Sequence, residues 1–265
     1  MLYELQKNGQ YEIAALLTTV TESYERISMH GVRNSLLERQ AESLGLPLCK
    51  MYIPVKASND VYEANLQKIL RQYQAQGVNH VAFGDLFLAD IKEYRLKNLS
   101  KLGMAGVFPL WGRNTSEMVK EFIQLGFKAV ICCIDPKVLD PRFAGRTLDE
   151  DFLRDLPSSV DPCGENGEFH SFVFDGPLFK EPIKLSVGEI VSGFPSLAAM
   201  ESKPIPSLFF VLGESPAAKY NFMTSPLEPA ISSAHEVIKD EDGETLGSHF
   251  APALRRSLTT SGCSF

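Results

Sequence analysis

Between residues 13 and 134, short apolar runs alternate with segments of helical period, and this rhythm constrains the fold more than any other feature. Residues 13–18 form a continuous apolar run, as a strand buried on both faces requires. Residues 32–44 place Val32, Leu36, Leu37, Ala41 and Leu44 at helical spacing and stop at Gly45. Residues 48–53 read as a strand and 59–76 as a helix with Val61, Leu66, Ile69, Leu70 and Tyr73 inward. A short strand over 81–83, a helix over 88–102, a strand over 105–110, a helix over 116–125 and a β-rich run over 129–134 follow. Strands and helices in this order predict βαβ units, a parallel sheet with helices on both faces, and ligands beyond the C-terminal strand ends.

After Asp135 the texture changes. Residues 148–156 suit a short acidic helix, 161–168 are loop chemistry, and 169–174 and 183–191 read as strands. The expected organisation is an α/β domain over 1–135, a smaller α+β unit over 136–212 and a disordered tail over 213–265, rich in Ser, Thr, Pro and Gly. With 26 basic and 33 acidic side chains the net charge is −7, which argues against a nucleic-acid or anionic-membrane binder. No stretch reaches the roughly 18 apolar residues that span a bilayer. The five cysteines show neither framework nor zinc spacing, so they read as reduced thiols of a cytoplasmic protein.

Four clusters carry candidate chemistry. His30-Gly31-Val32-Arg33 precedes a helix whose N-terminus suits an anion, though on residues alone an ordinary turn with a surface arginine is the favoured reading. Gly84-Asp85 follows an apolar strand, where Asp either holds Mg²⁺, orients a nucleophile or caps a turn. Trp111-Gly112-Arg113 holds the only Trp; its indole can cover a base or acyl group and Arg113 can meet phosphate, or the pair is a core ring and a surface charge. The fourth cluster, 161–171, joins Cys163, Glu165, Asn166, Glu168 and His170 on a glycine-rich loop entering a strand. Glu168 and His170 alternate and so can share a side as acid and base, unless the segment is a solvated turn. No basic residue adjoins Cys163 to activate it, and Cys132-Cys133 fits core packing.

In their order along the chain these motifs resemble the diphthine–ammonia ligase family of PP-loop ATP pyrophosphatases, over roughly residues 1–192. The resemblance implies a HUP-type α/β fold and an ATP-dependent amidation: a carboxylate attacks the α-phosphate, pyrophosphate leaves, and ammonia attacks the acyl-adenylate. It implies Leu17, Thr18, His30, Gly31, Arg33, Gly84, Trp111 and Gly112 about ATP, with Asp85 and Arg113 as catalytic residues and Asp85 handling Mg²⁺ or ammonia. Cys163, Glu165, Asn166, Glu168 and His170 are implied to meet the substrate. In the family that substrate is diphthine on an elongation factor; self-association into a homo-oligomer stays open.

Two departures matter. The family's Ser-Gly-Gly-Lys-Asp-Ser phosphate loop does not occur in the sequence, and residues 2–5 resemble the end of the helix that follows it, so the nucleotide domain is expected to be N-terminally incomplete. In the related fold the preceding strand is central, so two apolar strands would be left with unpaired edges. A catalytically impaired nucleotide- or partner-binding protein is therefore the alternative reading. The second departure is His170 where the family carries an acid; this form resembles a bacterial-type branch and leaves the substrate carboxylate open.

Overall fold

The computed structural model describes residues 1–21, 26–27, 32–55, 57–188 and 208–214. Helix α1 (Leu2–Asn8) leads into strand β1 (Tyr11–Thr21), where the β-branched run Thr18 to Thr21 lengthens the strand beyond its apolar start. Strand β2 (Arg26–Ile27) turns back on the end of β1. There follow α2 (Asn34–Leu44), β3 (Leu48–Ile53), α3 (Asn59–Gln74), β4 (His80–Ala82), α4 (Ala89–Ser100) and β5 (Ala105–Val107). The rest comprises α5 (Thr115–Gln124), β6 (Lys128–Ile134), a 3-10 turn at Pro141–Phe143, α6 (Glu150–Asp155), β7 (Phe169–Asp175) and β8 (Leu208–Glu214).

The main sheet runs β3–β1–β8–β4–β5. Strands β1, β3, β4 and β5 share one direction, as βαβ connectivity demands, and β8 runs against both of its neighbours. Successive side chains feed opposite layers. Leu17, Val81 and Val211 pack with Tyr62, Leu66 and Leu70 of α3 and Leu99 of α4. Leu16, Ala82, Phe210 and Leu212 pack with Leu2 and Leu5 of α1 and Leu37 and Ala41 of α2. The sheet is thus an α/β layer with helices on both faces, as expected. Caps fix the helix ends: Ser58 accepts from Val61 N, Asn114 accepts from Glu117 N at 3.0 Å, and Gly45 closes α2 at φ 68°.

Several local expectations change. Val61 is exposed and Tyr62 buried, because Tyr62, Leu66, Leu70 and Tyr73 form the straight helical stripe from which Val61 is rotated away. Strand β5 stops at Val107, and 108–113 become turns. Strand β6 does not extend the parallel sheet: it pairs antiparallel with β7 over a separate core of Val119, Ile131, Phe143, Phe152 and Phe169. Residues 183–188 are irregular; Pro182 withholds a donor, and Ile183 N alone reaches Phe174 O, at 2.8 Å.

The largest change is β8. The sequence assigns Leu208 to Leu212 to the smaller unit and Gly213 and Glu214 to the expected tail. The strand instead lies between β1 and β4, pairing Ala15 with Val211 and His80 with Leu212. Both edges that the resemblance leaves open are therefore paired within this chain. Phe210, Val211 and Leu212 are buried, a gain of about 1.5–3 kcal/mol per large apolar side chain. Residues 215–265 lie outside the described residues.

Candidate functional site

Three segments meet beyond the C-terminal ends of β4 and β5. Phe83 N donates to Val107 O at 2.9 Å, and the chain then leaves β4 through Gly84, Asp85 and Leu86. Leu86 ties the other two segments together with its own backbone. Its carbonyl accepts from Gly112 N at 2.8 Å, and its N–H donates to Glu165 Oε1 at 3.0 Å. Gly112 sits at φ 77°, a conformation that favours glycine, between turns closed by Trp111 N to Phe108 O and Arg113 N to Leu110 O. The Gly-Asp, Trp-Gly-Arg and 161–168 motifs are thus physically joined.

At the junction Asp85 meets Arg95 of α4, Nη2 to Oδ1 at 2.7 Å, with both side chains largely buried. Arg95 lies on the apolar stripe of α4 between Ile91 and Leu99, and its guanidinium stacks 4.4 Å from the Phe83 ring centroid. Burial pushes the Asp85 carboxyl above its ordinary range, although Arg95 pulls the other way. Asp85 Oδ2, Arg95 Nε and Nη1, and Tyr62 Oη are buried with no hydrogen-bond partner among the described residues. Tyr62, Phe83 and Arg95 line a cavity of about 20 Å³ between α3 and α4, the size of one water. Burial also raises Glu165; the bond from Leu86 N opposes this, and the charges of Asp85 and Asp161 add to it.

The 161–168 loop is organised by two carboxylates. Asp161 Oδ1 accepts from Cys163 N at 2.9 Å and Glu165 N at 3.3 Å. Glu168 Oε1 accepts from Asp161 N at 3.0 Å and Asn166 Nδ2 at 3.1 Å, and its Oε2 accepts from Asn166 N at 3.0 Å. Gly164 is at φ 70°, where an added Cβ would stand 2.6 Å from Phe169 O. Glu168 therefore faces into the loop, and Glu165 is the acid that reaches Leu86. His170, in β7 opposite Cys133, is depressed by burial. The Cys163 thiol donates to Thr115 O at 3.3 Å and is pushed up to about 12 by burial, with Asp161 and Glu165 adding, so it is a poor nucleophile.

The other candidates are placed as follows. Trp111 stands edge-on to Phe108, which stacks on Phe83, and Lys92 lies 3.9 Å from the Trp111 ring centroid. Arg113 pairs with Glu121 of α5 and stands 3.8 Å from Glu4 of α1. Gly84 lies against the start of α1, 3.8 Å from Met1 Sδ to an added Cβ. Leu17 and Thr18 are buried within β1 between β3 and β8, opposite Phe209 and Leu208 of β8, and β1 runs on to Thr21. Arg33 is exposed at the N-cap of α2, and His30 and Gly31 lie outside the described residues. Sequence reasoning missed Arg95, Tyr62, Asp161 and Lys92. For Arg95 the signal was its 91, 95, 99 spacing, a charge on an apolar stripe.

Among the described residues no group of three or more His, Cys, Asp and Glu side chains is placed to hold a metal ion. Asp85 already shares its carboxylate with Arg95, so these side chains do not fit a protein-held magnesium centre. No helix among the described residues is long and apolar enough to cross a membrane.

Comparison with known proteins follows the same division. Residues 1–105 match the family model of the diphthamide synthase N-terminal domain, and residues 114–194 that of the diphthamide synthase C-terminal domain. Similar proteins include the diphthine–ammonia ligase of Bos taurus, 28% identical over 189 residues, covering 64% of this chain and 67% of that one. The diphthine–ammonia ligase of Homo sapiens is 28% identical over 184 residues, 63% of this chain and 67% of that one. That of Schizosaccharomyces pombe is 30% identical over 109 residues, 39% of this chain and 18% of that one.

Proposed function

This chain belongs to the diphthamide synthase family, and on that premise we propose that it is an ATP-dependent carboxylate–ammonia ligase. The substrate carboxylate attacks the α-phosphate of ATP, the bond to pyrophosphate breaks, and an acyl-adenylate forms. Ammonia then attacks the acyl carbon, and AMP leaves with the former carboxylate oxygen. The observation that carries this reading is the convergence on Leu86 of the Gly112 turn and the Glu165 loop. It puts an aromatic platform, a buried carboxylate and a glycine-rich recognition loop within one junction.

Each group has a role suited to its setting. Trp111, backed by Phe108 and flanked by Lys92, offers a flat face and a cation to a nucleotide or acyl group. Arg113 meets phosphate by exchanging its Glu4 and Glu121 partners for a more highly charged one. Glu165, Asn166 and His170 recognise the substrate, with Asp161 and Glu168 holding the loop in shape. Magnesium in this reading travels with the nucleotide's phosphates.

The test is pyrophosphate and AMP release from Mg·ATP, with ammonium and a panel of carboxylates headed by diphthine-bearing elongation factor. Stoichiometric pyrophosphate, AMP and amide are expected. Mg·ATP binding without AMP formation on any carboxylate would refute the ligase reading and favour a nucleotide-binding role.

A further inference from the structure

Between α3 and α4 the fold buries polar atoms that it does not pair. Arg95 donates from Nη2 to Asp85 Oδ1 at 2.7 Å, and Tyr62 of α3, only 1% exposed, lines the same cavity as Arg95. Arg95 Nε and Nη1, Asp85 Oδ2 and Tyr62 Oη are buried with no hydrogen-bond partner among the described residues. Two of these four answer each other. Nε and Nη2 share one edge of a guanidinium, so Nε and Oδ2 are the second half of a fork whose first half is made, and a slight turn of the carboxylate closes it. Arg95 Nη1 and Tyr62 Oη remain. Leaving either buried and unmet is costly.

We propose that the cavity between α3 and α4 is a binding site for one water molecule, which accepts from Arg95 Nη1 and bonds Tyr62 Oη, and that Tyr62 is thereby a positioning residue for the Arg95–Asp85 pair. Its volume of about 20 Å³ exceeds the roughly 10–15 Å³ that a water requires. Charge argues for a neutral guest: Asp85 balances Arg95, and Lys101 holds Glu63, the other charged residue of the lining, at 2.7 Å. An ion would add an unpaired buried charge, whereas a water both accepts and donates. Gln67 and Asn98 add amide groups to the lining, so further partners are at hand. With the Phe83 ring on its face, Asp85 on Nη2 and the water on Nη1, the guanidinium is fixed from three sides. The connection runs from α3 through the water and Arg95 to the loop that follows β4. It rests on the ligase reading only for its purpose, a fixed carboxylate at the proposed reaction site.

The experiment uses the full chain without nucleotide. A crystal structure of the wild type should show one density peak about 2.7–3.2 Å from both Tyr62 Oη and Arg95 Nη1, with no anomalous signal there when sodium bromide replaces sodium chloride. Tyr62→Phe keeps the ring and loses the hydroxyl. In ¹⁵N spectra its Arg95 guanidinium should rotate about the Nε–Cζ bond about fivefold faster than in wild type, or more, as the loss of one hydrogen bond allows. A merely structural phenol would lower the melting temperature and leave that rate unchanged. An empty wild-type cavity, a bromide peak, or an unchanged rotation rate in Tyr62→Phe would overturn the proposal, and the wild-type peak depends on no variant folding. Because no ATP is present, such a failure leaves the ligase reading standing, and an inactive ligase assay leaves the water site standing.

Discussion

Replacing Glu168 tests whether an acid that reads as a substrate ligand is instead the keystone of its loop. Glu168→Ala strands three donors: Asp161 N, Asn166 N and Asn166 Nδ2. Hydrogen bonds to charged groups are worth about 1.5–3 kcal/mol each, and bonds sharing one carboxylate add incompletely, so the expected loss is about 3–5 kcal/mol. In a body of this size that lowers the melting temperature by roughly 6–20 °C. Glu168→Gln keeps the shape and one carbonyl acceptor but turns an amide NH₂ toward a donor, for a loss of about 1.5–3 kcal/mol. Urea unfolding at neutral pH, followed by tryptophan fluorescence and circular dichroism, measures both variants. The order wild type, Gln, Ala is expected, with cleavage by a nonspecific protease appearing first in 161–168. An Ala variant within about 0.5 kcal/mol of wild type, with only the KM for substrate changed, would refute the keystone role.

Gly164→Ala places a Cβ against Phe169 O at a positive φ and should cost about 2–4 kcal/mol in the same unfolding assay. Val211→Asp puts an unpaired charge at the centre of the main sheet and should leave little folded protein, with a loss of at least about 3 kcal/mol by denaturant titration. His170 is depressed by burial, so the unfolded chain binds its proton first as pH falls. Stability should therefore be intact above the ordinary value of 6.5 and decline as pH falls through it toward the depressed folded value, and His170→Phe should flatten that slope in melting curves. Glu165 runs the other way: its raised folded value makes stability fall as pH rises past the ordinary 4.5, and Glu165→Gln should remove that component.

What the sequence reveals follows from how local each cause is. Strands β1, β3 and β4 and helices α2 to α5 announce themselves because apolar period and terminal glycine or cap residues act within a few positions. The meeting of Gly84-Asp85 with Trp111-Gly112 was legible too, since parallel strands bring their C-terminal loops to one end. Arg95 was legible only as one charge at the 91, 95, 99 spacing of a helix crowded with charges, and the contact with Asp85 shows what that burial serves. The part Glu168 plays in holding its loop was not legible, because its bonds to Asp161 N, Asn166 N and Asn166 Nδ2 are made within the loop, before β7 starts at Phe169. Strand β8 escaped because its five-residue apolar run says nothing of direction, and its place depends on a gap between strands far away in sequence.

That central strand also sets a timetable for synthesis. Ala15 leaves the ribosome nearly two hundred residues before its partner Val211. At about 5–20 residues per second the edge of β1 waits roughly 10–40 s, and that of β4 roughly 7–26 s, for the strand that joins them. The two halves of the nascent sheet can gather their helices in that interval, but they lock together only once residues 208–214 emerge. Co-translational chaperone occupancy should therefore persist over the β1 and β4 edges until residues 208–214 emerge, and nascent chains stalled before residue 208 should remain protease-sensitive.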